Sequence, residues 1–187
     1  MAIPAETHTQ VVVVGAGPGG YPVACLAADA GMAVTLVDEG AALGGACLQR
    51  GCIPSKALLH LARIIREVEE ASTCGLTFSA PEVNLSRVRE WKDGVVATLA
   101  AGIGQLTSAR EVMCVEARAR FRDAKTIELT AGDGSVSSLS FEHAVLATGS
   151  RPVRPSTCDL DDPRVMDSTQ ALELADIPQR LLVIGGG

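Results

Sequence analysis

The stretch Val11-Val12-Val13-Val14-Gly15-Ala16-Gly17-Pro18-Gly19-Gly20 decides the fold, because an apolar, β-branched run ends in glycines spaced G-x-G-x-x-G. The run predicts a buried strand, and the small apolar residues that follow predict a helix ending at Gly31. A second apolar run at residues 33–37 predicts another strand, with Asp38 at its end. A strand, a glycine turn, a helix and a second strand with an acid about 20 residues beyond the glycines form the dinucleotide-binding pattern.

Each part of this pattern has a physical role. Gly15 permits the tight turn, Gly17 lets backbone amides approach a pyrophosphate, and Gly20 lets the helix pack closely on the strand. The helix N-terminus favours an anion, and Asp38 is placed to accept hydrogen bonds from a ribose hydroxyl. The glycine spacing alone is weak evidence, but together with the strand and the acid it favours dinucleotide binding.

A second stretch, Gly44-Gly45-Ala46-Cys47-Leu48-Gln49-Arg50-Gly51-Cys52-Ile53-Pro54-Ser55-Lys56, places two cysteines five positions apart. A disulfide needs Cα atoms roughly 4.4 to 6.8 Å apart, which one turn leading into a helix provides. Pro54 suits the first turn of that helix, whose N-terminus would stabilise a thiolate at Cys52. The stretch therefore predicts a redox-active disulfide.

Two other interpretations of Cys47 and Cys52 remain open at this point: inert buried thiols, or half of a zinc site. Zinc ligands usually come as two closely spaced pairs, and the three histidines of the chain do not supply a second pair. We therefore predict no metal site. The remaining cysteines are scattered and are expected to be reduced structural thiols: Cys25, Cys74, Cys114 and Cys158.

Composition excludes several functions. The 187 residues carry a net charge of −6, which argues against nucleic acid or an anionic membrane as a partner. There is no apolar run of about 18 residues that could span a bilayer. The N-terminus has neither a basic segment nor an amphipathic presequence, so a cytoplasmic protein is expected.

The two stretches together resemble the flavin-dependent disulfide reductases, and most closely the dihydrolipoamide dehydrogenase family. Glutathione and mercuric reductases share the architecture, but typically carry Val where this chain has Leu48 and Ile53. The resemblance covers essentially the whole chain. Its further motifs are Trp91-Lys92, Ala147-Thr148-Gly149-Ser150-Arg151-Pro152, Asp167-Ser168-Thr169 and Leu181-Leu182-Val183-Ile184-Gly185-Gly186-Gly187.

The resemblance implies an α/β fold: a Rossmann-like FAD-binding domain with a parallel sheet, flanking helices and an antiparallel β-meander. This domain is expected at residues 1–150. Residues 151–187 are expected to be a connecting segment and the first strand of an incomplete NAD-binding domain, entering a second glycine turn. We therefore expect these residues to be the N-terminal part of a longer, homodimeric enzyme.

The activity implied is oxidation of protein-bound dihydrolipoamide through a Cys47–Cys52 disulfide and FAD, with electrons passed to NAD. The implied partners are the lipoyl domains of 2-oxo acid dehydrogenase complexes. These 187 residues alone are expected to be inactive and to bind FAD weakly or not at all. The alternatives are another flavin disulfide reductase, of the mercuric or glutathione type, and a non-catalytic module that binds a nucleotide or senses redox state.

The family motifs also assign roles to residues of this chain. Cys47 corresponds to the interchange thiol, Cys52 to the thiol facing the flavin, and Lys56 to the lysine beside the flavin ring. Two positions depart from the family pattern, with Ala46 where Thr is common and Asp38 where Glu is usual. The expected FAD contacts are Gly15, Gly17, Gly19, Gly20, Asp38, Glu39, Gly44, Gly45, Ala46, Cys47, Lys56, Ala117, Thr148, Gly149 and Ser150.

Periodicity predicts the remaining elements. One helix follows Lys56 and runs to about Glu70, and a second begins near Ser86, as a possible cap, and continues to residue 109. The strands are predicted at residues 111–115, 118–122, 126–130, 136–141 and 144–148, of which the middle three form an antiparallel meander.

Overall fold

The computed structural model describes residues 6–158 and 160–185. Within these residues the strands are β1 (Glu6–Val14), β2 (Val34–Asp38), β3 (Met113–Glu116), β4 (Arg118–Phe121), β5 (Thr126–Thr130) and β6 (Val136–Leu146). The α-helices are α1 (Tyr21–Asp29), α2 (Gly45–Arg50), α3 (Cys52–Glu70), α4 (Leu85–Ser108) and α5 (Ser168–Glu173). None of the helices in this part of the chain is long and apolar enough to cross a membrane.

The strands form one six-stranded sheet in the order β3-β2-β1-β6-β5-β4. β3, β2, β1 and β6 are parallel, whereas β6, β5 and β4 pair antiparallel. β6 belongs to both parts, because Ser138 pairs with Glu6 of β1 and also with Glu128 of β5. The predicted combination of parallel sheet, flanking helices and antiparallel meander is confirmed.

Alternation along the parallel strands divides their side chains between two cores. One face, with Val11, Val13 and Leu36, packs against Ala24 of α1. The opposite face, with Val12 and Val37, packs against the meander residues Ile127, Leu129, Leu139 and Phe141. The meander therefore folds back over the parallel strands, and their central residues are buried from both sides. This explains the continuous valine run in β1.

The predicted strands 136–141 and 144–148 are in fact one strand, β6. The prediction of a break was wrong because Glu142 and His143 continue the ladder beside β1, where His143 pairs with Val11. The strand ends at Leu146, so residues 147–150 follow it as a loop. β3 begins at Met113 rather than Glu111, since Glu111 has φ +56° and ends the preceding turn.

Two further predictions needed correction. Asn84, not Ser86, caps α4, because its side-chain oxygen accepts the Arg87 N–H at 3.1 Å. Residues 181–185 form no strand. A strand is stabilised by its ladder partner, and these residues pair with no other strand among the residues described; Leu182 is 83% exposed. The end of the predicted second glycine turn, Gly186 and Gly187, lies outside the described residues.

Candidate functional site

The carboxyl ends of the four parallel strands meet at one edge of the sheet. β2 and β3 lie on one side of β1, whereas β6 lies on its other side. The chain connections between these strands therefore run in opposite directions from β1. In open α/β sheets, ligands bind at such a switch point, outside the carboxyl ends of the strands. Every predicted FAD contact except Lys56 lies at this edge or in the segment that begins at Gly44 and packs against the glycine turn.

Backbone hydrogen bonds fix the glycine turn after β1. Gly15 donates its N–H to the carbonyl of Val37 at 2.7 Å, and Ala147 donates to the carbonyl of Val14 at 2.8 Å. Gly15 has φ +103°, and an added Cβ would lie 2.6 Å from the carbonyl carbon of Ala147. A Cβ on Gly20 would lie 2.9 Å from the carbonyl carbon of Gly15. Gly15 and Gly20 are therefore required by the fold itself.

Gly17 differs from these two glycines. An added Cβ there would meet nothing closer than the Cα of Gly45, at 3.8 Å, which is an ordinary contact distance. Among the described residues, the N–H groups of Gly17 and Gly19 have no hydrogen-bond acceptor. These two amides precede the N-terminus of α1, where the helix dipole favours an anion.

A second glycine segment lies against the first. Gly44 donates its N–H to the carbonyl of Ala16 at 2.9 Å, and a Cβ on Gly45 would lie 2.6 Å from the Cα of Gly17. Both Gly44 and Gly45 have positive φ, +105° and +57°. This contact places the start of α2, and with it Cys47, at the edge of the sheet where the carboxyl ends of the parallel strands meet.

Asp38 lies where an acid was predicted, but its carboxylate also has a structural role. One oxygen accepts the Ala16 N–H at 2.6 Å and the other accepts the Gly40 N–H at 2.8 Å. The side chain therefore holds the glycine turn against the end of β2. Ala117 is placed by the same residue, because its N–H donates to the Asp38 carbonyl at 2.9 Å.

Cys47 and Cys52 form a disulfide, as predicted, with Cα atoms 4.7 Å apart. Cys47 lies in α2 and Cys52 is the first residue of α3, so the bridge joins two consecutive helices. Pro54 lies in the first turn of α3, and no side chain of the described residues caps that end. Cys52 is therefore the first residue of a 19-residue helix, at the end where unpaired N–H groups and the helix dipole favour a negative charge.

The remaining predicted contacts are exposed residues of four separate segments. Lys56 lies one turn beyond Cys52 on α3; it is exposed and forms no ion pair with any described residue. Thr148, Gly149 and Ser150 form the exposed loop after β6. Glu39 is exposed, with its carboxylate 3.5 Å from the guanidinium of Arg118, and Ala46 is exposed near the start of α2.

Two positions of the site were not among the residues predicted from the sequence. Gly51 separates the two cysteine-bearing helices, and an added Cβ would lie 2.9 Å from the carbonyl oxygen of Ala46. A glycine immediately before the second cysteine was the available signal. Ala147 supplies the backbone against which Gly15 and Gly20 pack, and nothing in its residue type indicates this. In the described residues there is no cluster of three or more metal-ligating side chains.

The fold and site define a dinucleotide-binding α/β domain that carries a disulfide at its ligand-binding edge. The family model described as pyridine nucleotide-disulphide oxidoreductase matches residues 9–187, and the chain belongs to this family.

Several relatives are called dihydrolipoyl dehydrogenase. The one from Haemophilus influenzae is 46% identical over 182 residues, and the one from Vibrio cholerae is 41% identical over 182 residues; each match covers 97% of this chain and 38% of the relative. A crystal structure of LpdA from Mycobacterium tuberculosis superposes with a TM-score of 0.79 at 26% identity, covering 91% of this chain and 38% of that one. The chain thus spans 38% of the length of these relatives.

Proposed function

We propose that this chain is the flavin- and disulfide-bearing part of a dihydrolipoamide dehydrogenase. The observation that carries the proposal is the Cys47–Cys52 disulfide, which contact between Gly17 and Gly45 brings to the nucleotide-binding edge of the sheet. Relatives called dihydrolipoyl dehydrogenase from several organisms match 97% of the chain at 37% to 46% identity, which supports this function.

The residues at the edge suit the pyrophosphate of FAD. Gly17 leaves space that a Cβ would fill, and the Gly17 and Gly19 amides are available as donors. No acidic side chain lies in the first turn of α1 to repel an anion. Asp38 would keep lone pairs for a ribose hydroxyl beyond its two backbone bonds. We propose that the remaining predicted contacts line the same cofactor.

The two cysteines would carry out a thiol–disulfide exchange. One substrate thiolate attacks Sγ of Cys47, the bond between the two cysteine sulfurs breaks, and Cys52 leaves as a thiolate. The N-terminus of α3 stabilises that thiolate, which makes Cys52 the better leaving group. The second substrate thiol then displaces Cys47, so that a dithiol becomes a cyclic disulfide and the protein gains two electrons as two thiols.

FAD, when bound, supplies a two-electron acceptor from which NAD is reduced. The residues of this chain would hold it: Gly17 and Gly19 at the pyrophosphate, Asp38 at the ribose, and Lys56 on the same face of α3 as Cys52. We propose residues 1–150 as the FAD-binding domain and residues 151–187 as the connecting segment.

Lipoyl domains of 2-oxo acid dehydrogenase complexes are the proposed partners. From the resemblance to the dihydrolipoamide dehydrogenase family we also propose that the complete enzyme is a homodimer. A cytoplasmic location is a separate proposal.

The test is substrate specificity of the complete gene product. Production of NADH should follow addition of dihydrolipoamide, and Cys47→Ser should abolish it, whereas Cys74→Ser, which changes an exposed free cysteine, should not. Activity with glutathione disulfide or mercuric ion, and none with dihydrolipoamide, would assign the chain to another disulfide reductase. A gene product that binds nucleotide without turnover would make it a non-catalytic module.

A further inference from the structure

Two motifs that the site above does not use lie in helices that side-chain hydrogen bonds join. Trp91-Lys92 lies in α4, and Asp167-Ser168-Thr169 begins α5, about 75 residues later. α5 starts with a capping box in which Asp167 accepts backbone N–H groups and the Gln170 side chain accepts the Asp167 N–H. The motif thus defines where this short helix begins.

Two cations of α4 bind the other end of α5. Lys92, only 6% exposed, donates from Nζ to the carbonyl of Leu172 at 3.0 Å. Arg89 donates to the carbonyls of Leu174 and Ala175 at 3.2 and 3.1 Å. Carbonyls at a helix C-terminus lack partners within the helix, and cations are favoured there. We call Arg89 and Lys92 the α4 clamp.

The backbone at the clamped position is strained. Leu174 has φ +53°, a left-handed conformation that costs a non-glycine residue free energy and persists where its surroundings hold it in place. The bonds from Arg89 to the carbonyls of Leu174 and Ala175 supply such a constraint. Without the clamp, this end of α5 would be free to relax.

α5 also contacts α2, the helix that carries Cys47, and α2 in turn contacts α4. We propose that Arg89 and Lys92 are positioning residues for the redox disulfide: by holding α5 against α2, they keep Cys47 within bridging distance of Cys52. The inference rests on the proposed redox role of this pair. Without the clamp, the two thiols should meet less often, and the disulfide should become easier to reduce.

The experiment measures the equilibrium constant between the disulfide and dithiol forms of Cys47 and Cys52 in glutathione buffers, by alkylation and peptide mapping of the whole chain. Lys92→Met and Arg89→Met should each shift this constant toward the dithiol by about three- to tenfold. Lys92→Arg, which keeps a cationic donor, should have the same equilibrium constant as the unmodified chain. Arg87→Met, at an exposed position of the same helix, is the matched control and should leave it unchanged.

A role confined to folding would lower the thermal unfolding temperature without moving the exchange constant. The inference is overturned if Lys92→Met and Arg89→Met both keep the unmodified constant, or if Arg87→Met shifts it equally. Arg89 is less deeply buried than Lys92, so its variant tests the clamp even if Lys92→Met does not fold. If the unmodified chain showed no exchange at Cys47 and Cys52, the proposed redox function itself would fail.

Discussion

Replacing Gly17 with alanine should separate cofactor binding from folding. The new Cβ would lie 3.8 Å from the Cα of Gly45, and apart from its chain neighbours it would meet no other described residue within 4 Å. The fold should therefore tolerate it, with an unchanged or slightly higher free energy of unfolding, since Gly→Ala at a compatible position stabilises by about 0.4 to 1 kcal/mol. The methyl group would nevertheless occupy the surface that we assign to the pyrophosphate.

The expected loss of affinity follows from the hydrogen bonds at that surface. A bond to a charged group contributes on the order of 1.5 to 3 kcal/mol, so displacing one phosphate contact should weaken FAD binding roughly ten- to hundredfold. Titration of the complete gene product and of its Gly17→Ala variant with FAD, followed by quenching of flavin fluorescence, gives the two dissociation constants. Chemical denaturation of the same samples gives the two free energies of unfolding.

Two other glycines provide the controls. Gly94→Ala, in open space on α4, should leave FAD affinity unchanged. Gly15→Ala should instead destabilise the fold by about 1 to 3 kcal/mol or more, because φ is +103° and the new Cβ would lie 2.6 Å from a backbone carbon of Ala147. Equal FAD affinity of the Gly17→Ala variant and the unmodified protein would refute the assignment of this surface to the pyrophosphate.

Three further results are expected. Gly51→Ala should slow formation of the disulfide and lower the free energy of unfolding by about 1 to 3 kcal/mol, because its Cβ would lie 2.9 Å from the carbonyl oxygen of Ala46. Oxidation as fast as in the unmodified chain would contradict this. Asp38→Asn should lower the free energy of unfolding by about 1.5 to 3 kcal/mol, because one of the two backbone N–H groups that donate to the carboxylate would lose its acceptor. Unchanged urea denaturation would argue against a structural role of Asp38. The guanidinium of Arg164 lowers the pKa of Asp162 to about 2. Carboxylate NMR should therefore show Asp162 ionised and paired until the pH falls toward 2. Titration of Asp162 near 3.8 would disprove the pairing.

The sequence predicted the features that depend on neighbouring residues. The β1 strand, the glycine turn and the end of α3 at Glu70 are each encoded by periodicity or by glycine and proline within a few positions. The Cys47–Cys52 bridge was predictable for the same reason, because its loop is short.

The features that were missed depend on residues distant in the chain. The continuity of β6 through His143 is imposed by pairing with Val11, which no local pattern reveals. The structural role of Asp38 toward Ala16 and the contact of Lys92 with Leu172 likewise join separate segments. Residues 181–184 show the converse: these residue types form no strand here, and no strand among the described residues pairs with them.

Differential alkylation of the six cysteines across a series of glutathione redox potentials tests the central claim most directly. We predict that Cys47 and Cys52 become accessible to alkylation together, in one two-electron step, while the four free cysteines react throughout the series according to their exposure. Free labelling of both Cys47 and Cys52 under oxidising conditions, or protection of a different pair, would contradict the account.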